Sequence, residues 1–197
     1  MVARLPQIQY DSMTIMMTDI SPDILHEIQA TLPELRKLDT RKNIGPLPPE
    51  EVQRWSMLYA RVLELFGQKY EALGEQRRAL RLPFRVKVNY IIDSEHFHAM
   101  SHDISMSGIA VDFSRAISLN APARMEIGIG SSRFLGLWKR PSFHVEGEVR
   151  WVSQQANRIG FEFLNLKESH RKLIQDAMFR EIEHKIALCE GATASYE

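Results

Sequence analysis

Cysteine is almost absent from this chain, which has 197 residues and the single thiol of Cys189. One cysteine excludes an intramolecular disulfide and any zinc site built from several thiolates. The chain also lacks an apolar run of about 18 residues and lacks a signal-peptide pattern. We therefore expect a cytoplasmic protein with no stable membrane insertion.

A net charge of one sign is missing as well, because 25 acidic side chains balance 25 basic ones. Domains that bind nucleic acid usually carry a large positive excess, so we expect no nucleic-acid partner and only a local site for any anion. The Gly-x-Ser-x-Gly, P-loop and His-Glu-x-x-His motifs are absent too. Without a paired nucleophile and base, the sequence predicts a protein that is not an enzyme.

Two helices are predicted in the first part of the chain. Ser21 followed by a proline and an acid is a typical helix start, and Pro33 is expected to break or kink the helix that follows. A second helix is predicted from Pro49 to about residue 73. Its apolar stripe has two interpretations, packing within the chain, which we favour, or the seam of a homodimer. The stripe consists of Val52, Trp55, Tyr59, Val62 and Phe66.

From residue 84 onward the apolar residues alternate with polar ones, which predicts strands. Strand-like stretches lie at 84–90 and near 96–104, 108–113, 123–130, 143–153 and 157–164. Six short strands with turns between them favour a small antiparallel barrel. A last helix is expected to start with a cap formed by Asn165 and Glu168 and to end at Gly191.

Two polar motifs flank the first predicted strands. The first is a cluster of arginines at Arg77, Arg78 and Arg81, and the second consists of Asp103, Ser105 and Gly108. Guanidinium groups grip phosphate with two parallel hydrogen bonds and can also bind the O6/N7 edge of guanine. A carboxylate accepts hydrogen bonds from guanine N–H groups, and a glycine lets the backbone approach a ligand closely.

The order R-x-x-x-R and then D-x-S-x-x-G resembles the PilZ family of bacterial receptors for cyclic di-GMP. The segments at 149–152 and 159–163 resemble the end of the PilZ barrel, so the resemblance covers roughly residues 75–185. It implies an α+β fold with a six-stranded antiparallel β-barrel and a C-terminal helix. We therefore divide the chain into a helical region, 1–74, and a PilZ-like domain, 75–190, whose first part is the arginine linker 75–83.

The resemblance also implies how the ligand is held. The two phosphates of cyclic di-GMP would neutralise the arginines and order a flexible segment 75–82 over the barrel, while Asp103 and Ser105 would hold a guanine edge. A tryptophan on a strand is usually part of the core, but some family members place an aromatic residue near Trp151 against a guanine. Gln76 stands where some relatives have another arginine, which leaves one or two ligand molecules per chain open.

Other sites are weaker. His96, His98 and His102 are close in sequence, but an exposed polar strand face explains them better than a metal site, so we predict neither a metal nor a cofactor besides the cyclic di-GMP ligand. Residues 133–140, apolar between basic ends, form either an ordinary hairpin or a surface for a partner or a membrane.

The predicted function is control of an unidentified protein partner by a ligand-driven change in the placement of the helices. Two alternatives stay open. One is an adaptor with a PilZ fold that binds no nucleotide. The other is a DNA-binding regulator that uses the three arginines on phosphates, which the zero net charge disfavours.

Overall fold

Two helices come first in the part of the chain that the computed structural model describes, which is residues 20–66, 79–113, 117–129 and 142–193. Helix α1 spans Pro22–Ile44 and begins as predicted, with the Ser21 hydroxyl accepting the Ile24 N–H at 3.4 Å. A break or a kink is expected at Pro33, and the break does not occur, because α1 continues through this residue. Pro33 removes one hydrogen bond to the Gln29 carbonyl, and both residues are exposed, so water can satisfy that carbonyl.

Helix α2 spans Pro49–Leu65. Its predicted continuation to residue 73 falls on 67–73, outside the described residues. The strands are β1 (Arg81–Leu82), β2 (Lys87–Ile92), β3 (Glu95–Ser105), β4 (Gly108–Asp112), β5 (Pro122–Gly128), β6 (Ser142–Ser153) and β7 (Arg158–Leu164). Helix α3, Glu168–Thr193, follows them.

The six strands β2–β7 form a closed antiparallel barrel, which confirms the predicted fold class. The sheet order is β1-β3-β2-β5-β6-β7-β4, and an additional β3–β4 pairing closes it. Short β1, which was not predicted, pairs with the end of β3. The first barrel strand starts at Lys87 rather than at residue 84. The Ser101 N–H donates to the Val86 carbonyl at 2.9 Å, but the Ser101 hydroxyl takes the place of the backbone groups that would pair with the Val86 N–H and the Phe84 carbonyl. This hydroxyl accepts the Val86 N–H at 2.7 Å and donates to the Phe84 carbonyl.

Helix α3 also differs from its predicted ends. The Lys167 carbonyl accepts the first helical N–H groups, those of His170 and Arg171, and Asn165 has a left-handed φ of 51° in the preceding turn. Asn165 therefore does not cap the helix. Gly191 lies inside α3 instead of ending it.

The three helices pack together, with α1 in contact with both α2 and α3. Arg36 of α1 forms an ion pair with Asp176 of α3 and lies over the Phe179 ring, 5.3 Å from its centroid. Gln175 donates to the Thr40 hydroxyl at 2.8 Å. The buried residues of the helices and of the barrel form one hydrophobic cluster. The N-terminal helices are thus packed against the rest of the chain, while the domain boundary at 74/75 stays a prediction.

The middle of the apolar stripe of α2 is buried within one chain, while Val52 and Phe66 at its ends are partly buried. Trp55, Tyr59 and Val62 have exposed fractions of 0%, 0% and 1%. Packing within the chain, the interpretation favoured from the sequence, accounts for this burial without a second copy. A homodimer stays a prediction, but this stripe no longer supports it.

A buried carboxylate joins the helices to the first strand. Asp39 of α1 is fully buried, and its Oδ1 accepts the Trp55 indole N–H at 3.2 Å and the backbone N–H of Leu80 at 2.6 Å. Burial raises the pKa of Asp39 to about 6, although the hydrogen bonds from Leu80 and Trp55 and the charge of Lys42 act in the opposite direction. A charged Asp39 at neutral pH therefore lowers the stability of the fold.

Replacing Asp39 with asparagine should change how stability depends on pH. The folded state binds more protons than the unfolded state between the ordinary pKa of 3.8 and the folded value of about 6. The free energy of unfolding of the wild type therefore falls as pH rises through this range, by at most about 3 kcal/mol from this group. Asp39→Asn keeps an acceptor oxygen but carries no charge.

Urea unfolding followed by circular dichroism should accordingly show Asp39→Asn gaining stability relative to the wild type between about pH 4 and pH 7. A difference between the two proteins that stays constant over this range would show that folding does not raise the pKa of Asp39.

Candidate ligand-binding site

The tight turn between β3 and β4 is organised by one hydroxyl. Ser105 Oγ accepts the N–H groups of Ser107 at 3.2 Å and Gly108 at 3.1 Å, and it donates to the Gly108 carbonyl at 3.2 Å. Ser105 is also only 1% exposed. Its hydroxyl holds the hairpin that carries the rest of the motif, and the direct ligand contact expected from the sequence stays a prediction.

Arg81 and Asp103 face each other across neighbouring strands. Arg81 on β1 is the register partner of Ser105, and Asp103 lies two residues before Ser105 on the same face of β3. The Arg81 Nε and Asp103 Oδ1 atoms are 3.5 Å apart, within ion-pair distance, yet Oδ1 is buried and has no hydrogen-bond partner among the described residues. Both groups therefore keep hydrogen-bonding capacity, which an added ligand could use.

Small residues lie on the strands beside this pair. Gly108, Ala110 and Gly160 lie next to one another on β4 and β7 and are all buried. A Cβ on Gly108 would overlap the Phe161 carbonyl oxygen, so glycine is needed there for β4 and β7 to pair closely. A Cβ on Gly160 would overlap the Trp151 indole. Trp151 therefore lies against Gly160 and is half-buried rather than part of the core.

Gly108 and Trp151 are among the residues that surround a cavity of about 180 Å³. It is smaller than the roughly 300–1,000 Å³ typical of pockets for drug-sized ligands, so a dinucleotide would be only partly enclosed. The larger cavity of about 610 Å³ lies around Tyr90 and Met125, away from both motifs. The smaller cavity has the relevant chemistry and is lined by Ala79, Arg81, Ser105, Ser107, Gly108, Arg150, Trp151, Phe161 and Glu162.

Arg150 and Glu162 are members of the site that the sequence did not suggest. The register shift between Val149 and Trp151 places Arg150 in a bulge, where it forms ion pairs with Glu148 at 2.6 Å and with Glu162. The hydrogen bond with Glu162 raises the pKa of Arg150. Glu162 lies opposite Gly108 across β4 and β7. Only the strand register brings Glu162 to the site, so nothing in the sequence indicated it. Arg150 directly precedes Trp151, and this position could have indicated it from the sequence.

The remaining predicted site residues are placed as follows. Arg77 and Arg78 lie outside the described residues. His98 Nδ1 lies 2.8 Å from the Asn89 amide oxygen on the exposed face of the barrel. Burial, followed by the positive charge of Arg158, lowers the pKa of His102. Among the residues that the structure describes, no three His, Cys, Asp or Glu side chains are placed to hold a metal ion.

A protein-family model of the PilZ domain matches residues 75–180, more than half of the chain. The chain belongs to the PilZ domain family. PilZ domains are binding domains rather than enzymes. In this PilZ protein the matched residues include the whole barrel and the first half of α3, whereas α1 and α2 lie before them.

Several solved structures resemble the PilZ domain of this chain. The Bacillus subtilis inhibitor of motility MotI/DgrA is 17% identical over 52% of this chain and 50% of its own, with a TM-score of 0.43. The PilZ domain of Escherichia coli YcgR with c-di-GMP is 17% identical over 56% and 95%, with a TM-score of 0.41. PlzA of Borreliella burgdorferi in complex with c-di-GMP is 13% identical over 70% and 58%, with a TM-score of 0.39.

The PilZ protein described here thus spans about half the length of MotI/DgrA. Scores below 0.5 at these identities say nothing about its own ligand. No curated protein sequence matches the chain. Within the described ranges, none of the helices is long and apolar enough to cross a membrane.

Two glycine substitutions should separate the fold of this PilZ domain from its site. Gly108→Ala forces a methyl group onto the backbone of β7, and we expect it to lower the free energy of unfolding by about 1–3 kcal/mol. Gly160→Ala meets only the half-buried Trp151 ring, which can turn away, so it should alter Trp151 fluorescence and cost less stability. Thermal unfolding and emission spectra measure both effects. Equal losses of stability would contradict this placement of Trp151.

Proposed function

We propose that this protein is a receptor for cyclic di-GMP. The observation that carries the proposal is the Arg81–Asp103 pair, in which a guanidinium and a buried carboxylate oxygen lie 3.5 Å apart without a hydrogen bond, beside a cavity that has an aromatic wall. Membership of the PilZ family and the R-x-x-x-R and D-x-S-x-x-G motifs support the same ligand.

Each group has a role that fits its chemistry. The Arg81 guanidinium would bind a phosphate oxygen or the O6/N7 edge of a guanine, and Asp103 would accept from the guanine N–H donors. Trp151 lines the cavity, and its aromatic ring would stack on a base. The Ser105 turn and Gly108 would hold the β3–β4 hairpin in the shape that admits the ligand. Arg77 and Arg78 would add contacts to the second phosphate.

The expected affinity follows from a small number of contacts. Bidentate charged hydrogen bonds are worth about 1–3 kcal/mol each. Three to five of them, reduced by the cost of ordering the ligand and the side chains, give roughly −8 kcal/mol, which corresponds to micromolar affinity.

Titration calorimetry of the wild type with cyclic di-GMP, using cyclic di-AMP as the control ligand, tests the function directly. Arg81→Ala and Asp103→Ala should each weaken binding at least tenfold, or about 1.4 kcal/mol. Arg85→Ala is the matched control, because Arg85 is exposed and pairs with Asp112 at 3.1 Å rather than facing the cavity. His98→Ala should likewise bind as the wild type does.

Wild-type affinity in Arg81→Ala or Asp103→Ala would remove that residue from the site. No binding by the wild type would favour the alternative function, an adaptor that uses the PilZ fold without nucleotide. A stoichiometric amount of metal in the purified protein would support a metal site at the histidines of β3 instead.

We also propose that the ligand controls a protein partner by changing the placement of the N-terminal helices. The contacts of α1 and α2 with α3 and with residues 80–81 oppose a large displacement, so we expect a change in packing rather than release. Dyes attached at the exposed positions Ile44 and Leu119 report on the distance between the helices and the barrel. Tight binding without a change in this distance would leave the protein as a passive binder.

A further inference from the structure

The backbone of Arg81 is held by a side chain from outside the barrel. The Tyr59 hydroxyl of α2 accepts the Arg81 N–H at 3.1 Å and donates to the Arg81 carbonyl at 2.7 Å. The Tyr59 ring is fully buried and packs against Trp55 with ring centroids 5.0 Å apart. One rigid side chain therefore fixes both polar backbone groups of the residue whose guanidinium faces Asp103.

The preceding residue is held in the same way. The Leu80 N–H donates to Asp39 of α1, which also binds the Trp55 indole. Ala79, Leu80 and Leu82 are 2%, 0% and 0% exposed. Two side chains, Asp39 of α1 and Tyr59 of α2, thus hold two consecutive residues of the arginine linker. The expectation of a flexible segment 75–82 is wrong for residues 79–82, since burial and hydrogen bonds to α1 and α2 order them.

The strand pairing of this segment would not be sufficient by itself. Strand β1 consists of two residues, Arg81 and Leu82, paired with Ile104 and Ser105 at the end of β3. So short a strand is marginal without further contacts. The further contacts come from Asp39 of α1 and Tyr59 of α2, and both helices lie before the residues that match the PilZ family. The contacts that hold residues 80 and 81 are therefore a feature of the helical region and not of the barrel.

We propose that Tyr59 and Asp39 are positioning residues for cyclic di-GMP, an inference that rests on the proposed function. They fix the Arg81 backbone before the ligand arrives, so that binding does not have to order residues 79–82. Preorganised groups bind more tightly because less conformational entropy is lost on association. By thermodynamic reciprocity, the ligand must then stabilise the packing of α1 and α2 on the linker. This links the site to the helices.

The test compares two tyrosines. Tyr59→Phe removes the hydroxyl that holds Arg81. Tyr90→Phe is the matched control, because Tyr90 is also buried, at 3% exposure, but lies inside the barrel against Phe97. We expect Tyr59→Phe to weaken cyclic di-GMP binding about tenfold and Tyr90→Phe to leave it unchanged. Both variants are checked for the wild-type fold by circular dichroism.

A double-mutant cycle distinguishes positioning from general destabilisation. If Tyr59 acts through Arg81, adding Tyr59→Phe to Arg81→Ala should weaken binding much less than it weakens the wild type. Hydrogen exchange provides a second measurement without ligand, in which the Leu80 and Arg81 amides should be protected in the wild type and the Arg81 amide should exchange faster in Tyr59→Phe.

Wild-type affinity in Tyr59→Phe, or equal effects of this change with and without Arg81, would overturn the positioning role while leaving the receptor function intact. Rapid exchange of the Arg81 amide in the free wild type would overturn it as well, even if Tyr59→Phe failed to fold. A wild type that does not bind cyclic di-GMP would instead overturn the proposed function, and the positioning role with it. The wild-type titration alone separates these cases.

Discussion

Closure of the barrel through strand β3 is the constraint on which the rest of the structure depends. This strand pairs with β2 along its first half, with β4 along its second half and with β1 at its end. The register shift between Ser101 and Asp103 lies where the partner changes from β2 to β4. Asp103 and Ser105 follow directly, so the same strand end that closes the barrel also carries the polar residues of the site.

The site is built where strands from distant parts of the sequence meet. Gly108 and Gly160 allow β4, β7 and the Trp151 ring to approach closely, because a Cβ on Gly108 would overlap the β7 backbone and a Cβ on Gly160 would overlap the Trp151 ring in its present position. Gly108 also lines the cavity, together with Arg81 and Trp151. Glycine can adopt a positive φ, and it also lets neighbouring groups approach the backbone closely. Only the close approach is needed at Gly108 and Gly160.

The helical layer changes the role of the arginine linker. A free segment of like charges would be ordered only by the ligand, and its entropy would oppose binding. Here Asp39 and Tyr59 hold residues 80 and 81 against the barrel, and Asp39 bears a raised pKa as a consequence of its burial. The burial of this carboxylate lowers stability at neutral pH, yet the same group joins two helices to the linker. Asp39 therefore fits a role in specifying how the helices and the linker pack together.

The sequence by itself determined the antiparallel barrel and both motifs, because alternation with period two and residue order along the chain are local properties. It also determined the start of α1, where the Ser21 cap is a local interaction. The continuous path of α1 through Pro33 depended on exposure to solvent, and the start of β2 depended on Ser101, which lies across the sheet. The use of the Ser105 hydroxyl in the turn, the placement of Trp151 on Gly160 and the recruitment of Glu162 were decided by strand register. Tertiary structure alone brought Asp39 and Tyr59 to the linker, because hydrogen bonds between residues 22 and 41 positions apart leave no periodic signal in the chain.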